Sequence, residues 1–129
     1  MARRSGLGKR MLKIVLIEDD PTMVSLLTTL LNLEGIAVRV PTDHQIEGVL
    51  KVIHAEHPQI ALVDVNLSAG NGIDLVREIR QHREIKDIRI LMSSGMDLKH
   101  ECLQAGADGF ILKPFMPDDL IQLIHSTVQ

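Results

Sequence analysis

Four apolar runs in this 129-residue chain each stop at a polar residue of a different kind. Ile14-Val15-Leu16-Ile17 meets Glu18-Asp19-Asp20, and Ile60-Ala61-Leu62-Val63 meets Asp64. Ile88-Arg89-Ile90-Leu91-Met92 meets Ser93-Ser94-Gly95, and Phe110-Ile111-Leu112 meets Lys113-Pro114. The run at 60–63 is the most apolar, as a strand buried on both faces would be. In a parallel α/β sheet the carboxyl ends of the strands lie along one edge, where ligands bind. An acidic cluster, a lone carboxylate, a hydroxyl and an ammonium would converge on that edge. Such a set suits a divalent metal and a phosphoryl group.

The stretches between the runs read as helices. Pro21 suits a first helical turn. Met23, Leu26, Leu27, Leu30, Leu31 and Leu33 follow at mostly helical spacing, and Gly35 would close the helix. Residues 36–40 make a short second strand. Thr42 or Asp43 would cap a helix running to Glu56 with Ile46, Val49, Leu50 and Ile53 inward, and Pro58 stops it. A glycine-rich loop at 68–72 leads to a helix carrying Ile73, Leu75, Val76 and Ile79. A shorter helix, roughly 98–105, ends at Gly106, and 109–112 is a fifth strand. Pro117-Asp118-Asp119 opens the last helix, with acids where the helix dipole favours them. The pattern is strand–helix repeated five times, with right-handed crossovers. It predicts an α/β doubly wound, five-stranded parallel sheet with helices on both faces.

A chain of this length fits one domain and can bury a core without staples. The single cysteine, Cys102, excludes an internal disulfide and a thiolate metal site, and it suits a cytoplasmic protein. The formal net charge of -3 gives no global pull toward nucleic acid or an anionic membrane. No apolar run approaches the roughly 20 residues of a membrane span. Arg3, Arg4, Lys9 and Arg10 crowd the N-terminus around Ser5-Gly6-Leu7-Gly8, which has no periodicity. Residues 1–10 therefore read as a flexible basic tail, and 11–129 as the folded domain. His54 and His57 lie about one helical turn apart with no third ligand nearby in sequence, so a zinc site is not predicted there. The other histidines read as helix-surface residues.

Taken in order, several motifs together resemble the receiver domain of two-component response regulators. They are Ile17-Glu18-Asp19-Asp20, Leu62-Val63-Asp64-Val65-Asn66-Leu67, Asn71-Gly72, Met92-Ser93-Ser94-Gly95, Ala105-Gly106-Ala107-Asp108-Gly109-Phe110 and Lys113-Pro114-Phe115. The resemblance covers residues 11–129. It implies a flavodoxin/CheY-like fold with strand order 2-1-3-4-5 and five helices.

The resemblance assigns roles residue by residue. Asp64 would be the phosphoacceptor, a carboxylate nucleophile. Mg²⁺, or Mn²⁺ in its place, would be bound by Asp19 and Asp64 directly, by the backbone carbonyl of Asn66, and by Glu18 through water. Asp20 reads better as a helix cap than as a ligand. Lys113 would reach the phosphoryl oxygens as a point charge, after a cis Lys113–Pro114 bond. Ser94 would be the switch hydroxyl, with Ser93 as its competitor. Phe110 fills the aromatic switch position or, alternatively, is an ordinary core residue of the fifth strand. The implied partner is a sensor histidine kinase or a histidine phosphotransfer protein. Output, and homodimer contact, would use helix four, strand five and helix five, with no nucleic acid or membrane bound by this domain.

Two departures stand out. The stretch from Ser94 to Ala105-Gly106 is shorter than in typical receivers, which puts the usual output face in doubt. Ser68 stands where many receivers have proline. Helix one carries more leucines than one buried face needs, and Ile121 and His125 lie off the main apolar face of the last helix as a candidate dimer patch. The alternative functions are a pseudo-receiver that binds partners without phosphorylation and a small phosphohydrolase with Asp64 as nucleophile. The latter would want a second acid where this chain has Asn66. A flavodoxin-like flavin binder lacks support, since the chain has no Trp or Tyr to stack on a flavin. A stand-alone receiver and a domain of a longer regulator both remain open.

Overall fold

Hydrophobic alternation along the strands decides the architecture. In the first strand, β1 (Lys13–Ile17), Ile14 and Leu16 point to one layer and Val15 and Ile17 to the other. In β3 (Ile60–Asp64), Ile60 and Leu62 share the first layer, and Ala61 and Val63 share the second. This period of two makes each strand serve two cores. The computed structural model describes residues 11–68 and 70–129, so the basic tail read at 1–10 lies outside the described residues.

The remaining strands are β2 (Ala37–Arg39), β4 (Arg89–Ser94) and β5 (Gly109–Leu112). All pairs are parallel, in spatial order β2-β1-β3-β4-β5. This is the predicted 2-1-3-4-5 arrangement. Helices α1 (Pro21–Leu33) and α5 (Pro117–Val128) pack on one face through Leu27, Leu31, Leu120 and Ile124. Helices α2 (Ile46–Glu56), α3 (Gly72–Arg80) and α4 (Lys99–Ala105) cover the other through Val49, Ile53, Val76, Ile79 and Cys102. Fully burying one such aliphatic side chain contributes about 1.5–3 kcal/mol. No helix among the described residues is long and apolar enough to cross a membrane.

Several expectations shift on contact with the structure. Helix α2 begins at Ile46, later than a Thr42 or Asp43 cap would place it. Asp43 instead accepts from Gln45 N–H at 2.9 Å, closing a local turn that competes with the helix. The glycine-rich loop contains a two-stranded antiparallel hairpin, Asn66–Leu67 against Gly70–Asn71. Asn71 then caps α3, its side chain accepting from Ile73 N–H at 2.7 Å. Helix α4 has seven residues, close to the expected 98–105. Leu26 and Leu33 of α1 are exposed, so its leucine stripe is wider than its buried face. Ile121, read as part of a surface patch, packs against the α1/α5 core, while His125 is exposed.

One side chain that attracted no attention in the sequence ties three elements together. Arg80, at the end of α3, donates to the carbonyls of Gly106 (2.8 Å), Lys86 (2.7 Å) and Ile88 (2.7 Å) and pairs with Asp108 at 2.9 Å. Asp108 also accepts from Ile90 N–H at 2.8 Å. The Gly106-Ala107-Asp108 turn is thus locked to α3 and to the start of β4. Gly106 holds φ +116°, a conformation that L side chains rarely adopt, and so ends α4.

Candidate active site

Each predicted site residue arrives at the carboxyl edge of the sheet, carried there by its strand. Glu18 and Asp19 follow β1 directly, Asp64 is the last residue of β3, Ser94 the last of β4, and Lys113 the first after β5. Glu18 and Asp64 are buried, at 5% and 7% exposure. Lys113 Nζ lies 3.0 Å from Glu18 Oε1 and 3.3 Å from Asp64 Oδ1, bridging the two. The Lys113–Pro114 bond is cis.

The electrostatics follow from that burial. Desolvation pushes the Asp64 carboxyl above the ordinary aspartate value, and the neighbouring Glu18 charge adds to the push. The Lys113 ammonium and the Asn66 N–H oppose it without winning. Burial alone would lower the Lys113 value, but its bonds to Glu18 and Asp64 raise it, so the ammonium stays charged.

Gly72 brings the start of α3 close to the Asp64 backbone. Its N–H donates to the Val65 carbonyl at 2.8 Å, and a Cβ at this position would overlap the Asp64 carbonyl oxygen. Only a residue without a side chain lets α3 start this close to the Asp64 backbone.

Ser94 is fully buried, and its Oγ accepts from Met96 N–H at 3.1 Å. Its carbonyl accepts from Lys113 N–H at 2.8 Å, which couples the β4 terminus to the lysine. Ser93 instead sits opposite Asp64 in the ladder and accepts Val65 N–H on its carbonyl. Phe110 pairs with Met92 and is half-buried against the α2–α4 core. Asp20 caps α1, accepting from Thr22 N–H at 3.0 Å. Asn66 is exposed at the start of the hairpin.

Asp19 is engaged differently from the other two acids. Its Oδ1 takes a bond from His44 Nδ1 at 2.6 Å, and its Oδ2 accepts from the Ser68 N–H. Burial raises the Asp19 carboxyl, but these bonds and the His44 charge hold it below its usual value. His44 is therefore not the helix-surface residue read from sequence. It lies in the loop before α2, with its side chain only 10% exposed. The missed signal was topological: the β2–α2 loop opens on the same sheet edge as Asp19.

The donors fit a hard divalent cation. Carboxylates are the ligands that Mg²⁺ and Mn²⁺ prefer. Two of the three acids are buried, and the lysine that bridges them leaves negative charge in excess. Among the described residues, however, no three His, Cys, Asp or Glu side chains are grouped to hold a metal ion.

The family model for the response regulator receiver domain matches residues 14–125. This chain belongs to that family. The receiver is 36% identical over 120 residues to the cell cycle transcriptional regulator CtrA of Caulobacter vibrioides, covering 92% of this chain and 51% of that protein. It is 29% identical over 112 residues to the chemotaxis protein CheY1 of Helicobacter pylori, covering 84% of this chain and 90% of that protein. Among solved structures, a putative response regulator from Chloroflexus aurantiacus superposes with a TM-score of 0.83 at 28% identity, covering 92% and 98% of the two chains. The BeF3-activated receiver domain of Klebsiella pneumoniae RstA gives 0.80 at 27% identity, covering 91% and 98%. The chain spans about half the length of the first curated relatives it matches.

Proposed function

We propose that Asp64 accepts a phosphoryl group from a phosphohistidine on a sensor kinase or phosphotransfer protein, and that this switches a protein-docking surface. The observation that supports it most strongly is Lys113 bridging the buried Glu18 and Asp64. A lysine so placed can follow charge from the carboxylate to an incoming phosphoryl oxygen.

In the step, an Asp64 carboxylate oxygen forms a bond to phosphorus as the donor's nitrogen–phosphorus bond breaks, and the leaving imidazole keeps the electron pair. Glu18, Asp19, Asp64 and the Asn66 carbonyl would hold Mg²⁺, which when bound neutralises charge on the phosphoryl oxygens. Lys113 supplies the remaining positive charge. The acyl phosphate ends when water attacks phosphorus and Asp64 leaves as a free carboxylate.

Switching would begin at Ser94. Its Oγ accepts a bond in the unmodified protein, so its own hydrogen is available to a phosphoryl oxygen on Asp64. Movement of Ser94 toward that oxygen would pull the Met96 N–H and the start of the β4–α4 loop. Phe110, one strand over, lies against the α2–α4 core and would respond to that shift. Exposed apolar residues Met96, Leu103, Leu112 and Met116 support reading the α4–β5–α5 side as the output surface.

The test is intact mass after incubation with Mg²⁺ and acetyl phosphate. A gain of one phosphoryl unit in the wild type and none in Asp64→Asn supports the reading. No gain in either protein, with this donor or with a phosphorylated phosphotransfer protein, moves the chain to a phosphorylation-independent interaction module.

A further inference from the structure

His44 has no part in the chemistry above, yet it makes the short contact of 2.6 Å to the acidic cluster. Its Nδ1–H and the Ser68 N–H occupy one oxygen each of Asp19. Glu18 and Asp64 meanwhile share Lys113. The three acids are thereby divided into two groups, consistent with no three metal-binding side chains being grouped among the described residues.

His44 also lines an open space on its other side. Beside His44 lies a cavity of about 220 Å³, lined by Leu67, Asn71, Asp74, Leu75 and Glu78. It offers Asp74 and Glu78 as acceptors and an aliphatic wall of two leucines. An imidazole released from Asp19 would face this cavity, with polar and apolar groups on its walls.

We propose that His44 is a positioning residue that latches Asp19 away from the metal site, so that cation binding and the His44–Asp19 bond exclude each other. This rests on the reading of Glu18, Asp19 and Asp64 as the Mg²⁺ site. The latch lowers cation affinity by the ratio that one charge-assisted hydrogen bond supplies, and it links occupation of the site to the β2–α2 loop. A ligand must win Asp19 from a competitor built into the chain, and the competing states shift by their difference in affinity.

The test uses Mn²⁺ as the probe, titrated into the full chain and followed by the electron spin resonance of free Mn²⁺, with Mg²⁺ as competitor. Removing the competing donor in His44→Ala should tighten Mn²⁺ binding roughly tenfold. His44→Asn, whose Nδ2 keeps an N–H donor near the Nδ1 position, should bind as the wild type does. In the wild type, saturating Mg²⁺ should move the His44 ring resonances and leave those of the exposed His100 and His125 in place. Equal or weaker binding by a folded His44→Ala, or His44 resonances that ignore Mg²⁺, overturns the latch. Should wild type and His44→Ala both bind no cation, the metal site itself is wrong and the latch falls with it. Binding by His44→Ala alone would be the latch in its strongest form.

Discussion

The two ends of the sheet treat ionised side chains in opposite ways. At the amino end, Glu56 of α2 receives Lys13 at 3.0 Å and Arg39 at 3.1 Å on the same oxygen. One carboxylate has two cations, and its pKa is held below the ordinary glutamate value, chiefly by the Lys13 bond. At the carboxyl end, two buried carboxylates share one ammonium, and Asp64 is raised. The first arrangement satisfies its charges and is finished. The second is left short of positive charge, a deficit that a divalent cation can make good.

Asp64→Asn should break the contrast most severely. It removes the proposed phosphoacceptor, so phosphorylation by acetyl phosphate should vanish. It also removes a carboxylate whose ionised form is disfavoured in the folded state. Without divalent cation at neutral pH, the folded protein should become more stable, read as a higher urea midpoint. The sign follows from the direction of the shift. A raised acid destabilises the fold at pH above its folded pKa and not below its unfolded one. The advantage of Asp64→Asn should therefore shrink as pH falls through the carboxylate range.

Lys113→Ala should slow phosphorylation by about a hundredfold, as loss of a preorganised charge does, and should also weaken the fold by leaving Glu18 and Asp64 facing each other. Arg80→Ala tests whether the carboxyl end depends on the clamp behind it. The loss of donors to three carbonyls and Asp108 should cost about 2–3 kcal/mol in denaturant unfolding, with phosphorylation of the folded fraction retained. Glu56→Gln, at the satisfied end, should move the melting temperature least and leave phosphorylation unchanged. Because the Glu56 value is lowered, its small contribution is present at neutral pH and disappears as pH falls through its folded pKa.

The layered fold was legible because its signals are local. Ile14 through Ile17 and Ile60 through Val63 read as doubly buried strands without any knowledge of their partners. Strand β4 runs two residues past its apolar stretch because Ser93 and Ser94 keep pairing with Asp64 and Leu112 after the hydrophobic pattern has ended. The hairpin after Asp64 has two residues in each strand, too few for any period to show. Asp43 misled as a helix cap because the same side chain serves an Asx turn equally well. The convergence of Glu18, Asp19, Asp64, Ser94 and Lys113 on one sheet edge was legible from the strand ends. His44 and Arg80 were not, because His44's partner lies 25 positions away, Arg80's lie 6, 8, 26 and 28 away, and no pattern near either residue announces them.

The central claim is that Asp64 carries the phosphoryl group, and chemical trapping tests it most directly. Borohydride reduces an aspartyl phosphate to homoserine, which peptide mass spectrometry can place in the sequence. After treatment with Mg²⁺ and acetyl phosphate, the homoserine should appear at position 64 and nowhere else. Homoserine at 19 or 20, or a borohydride-resistant phosphate on a serine or histidine, would contradict the account.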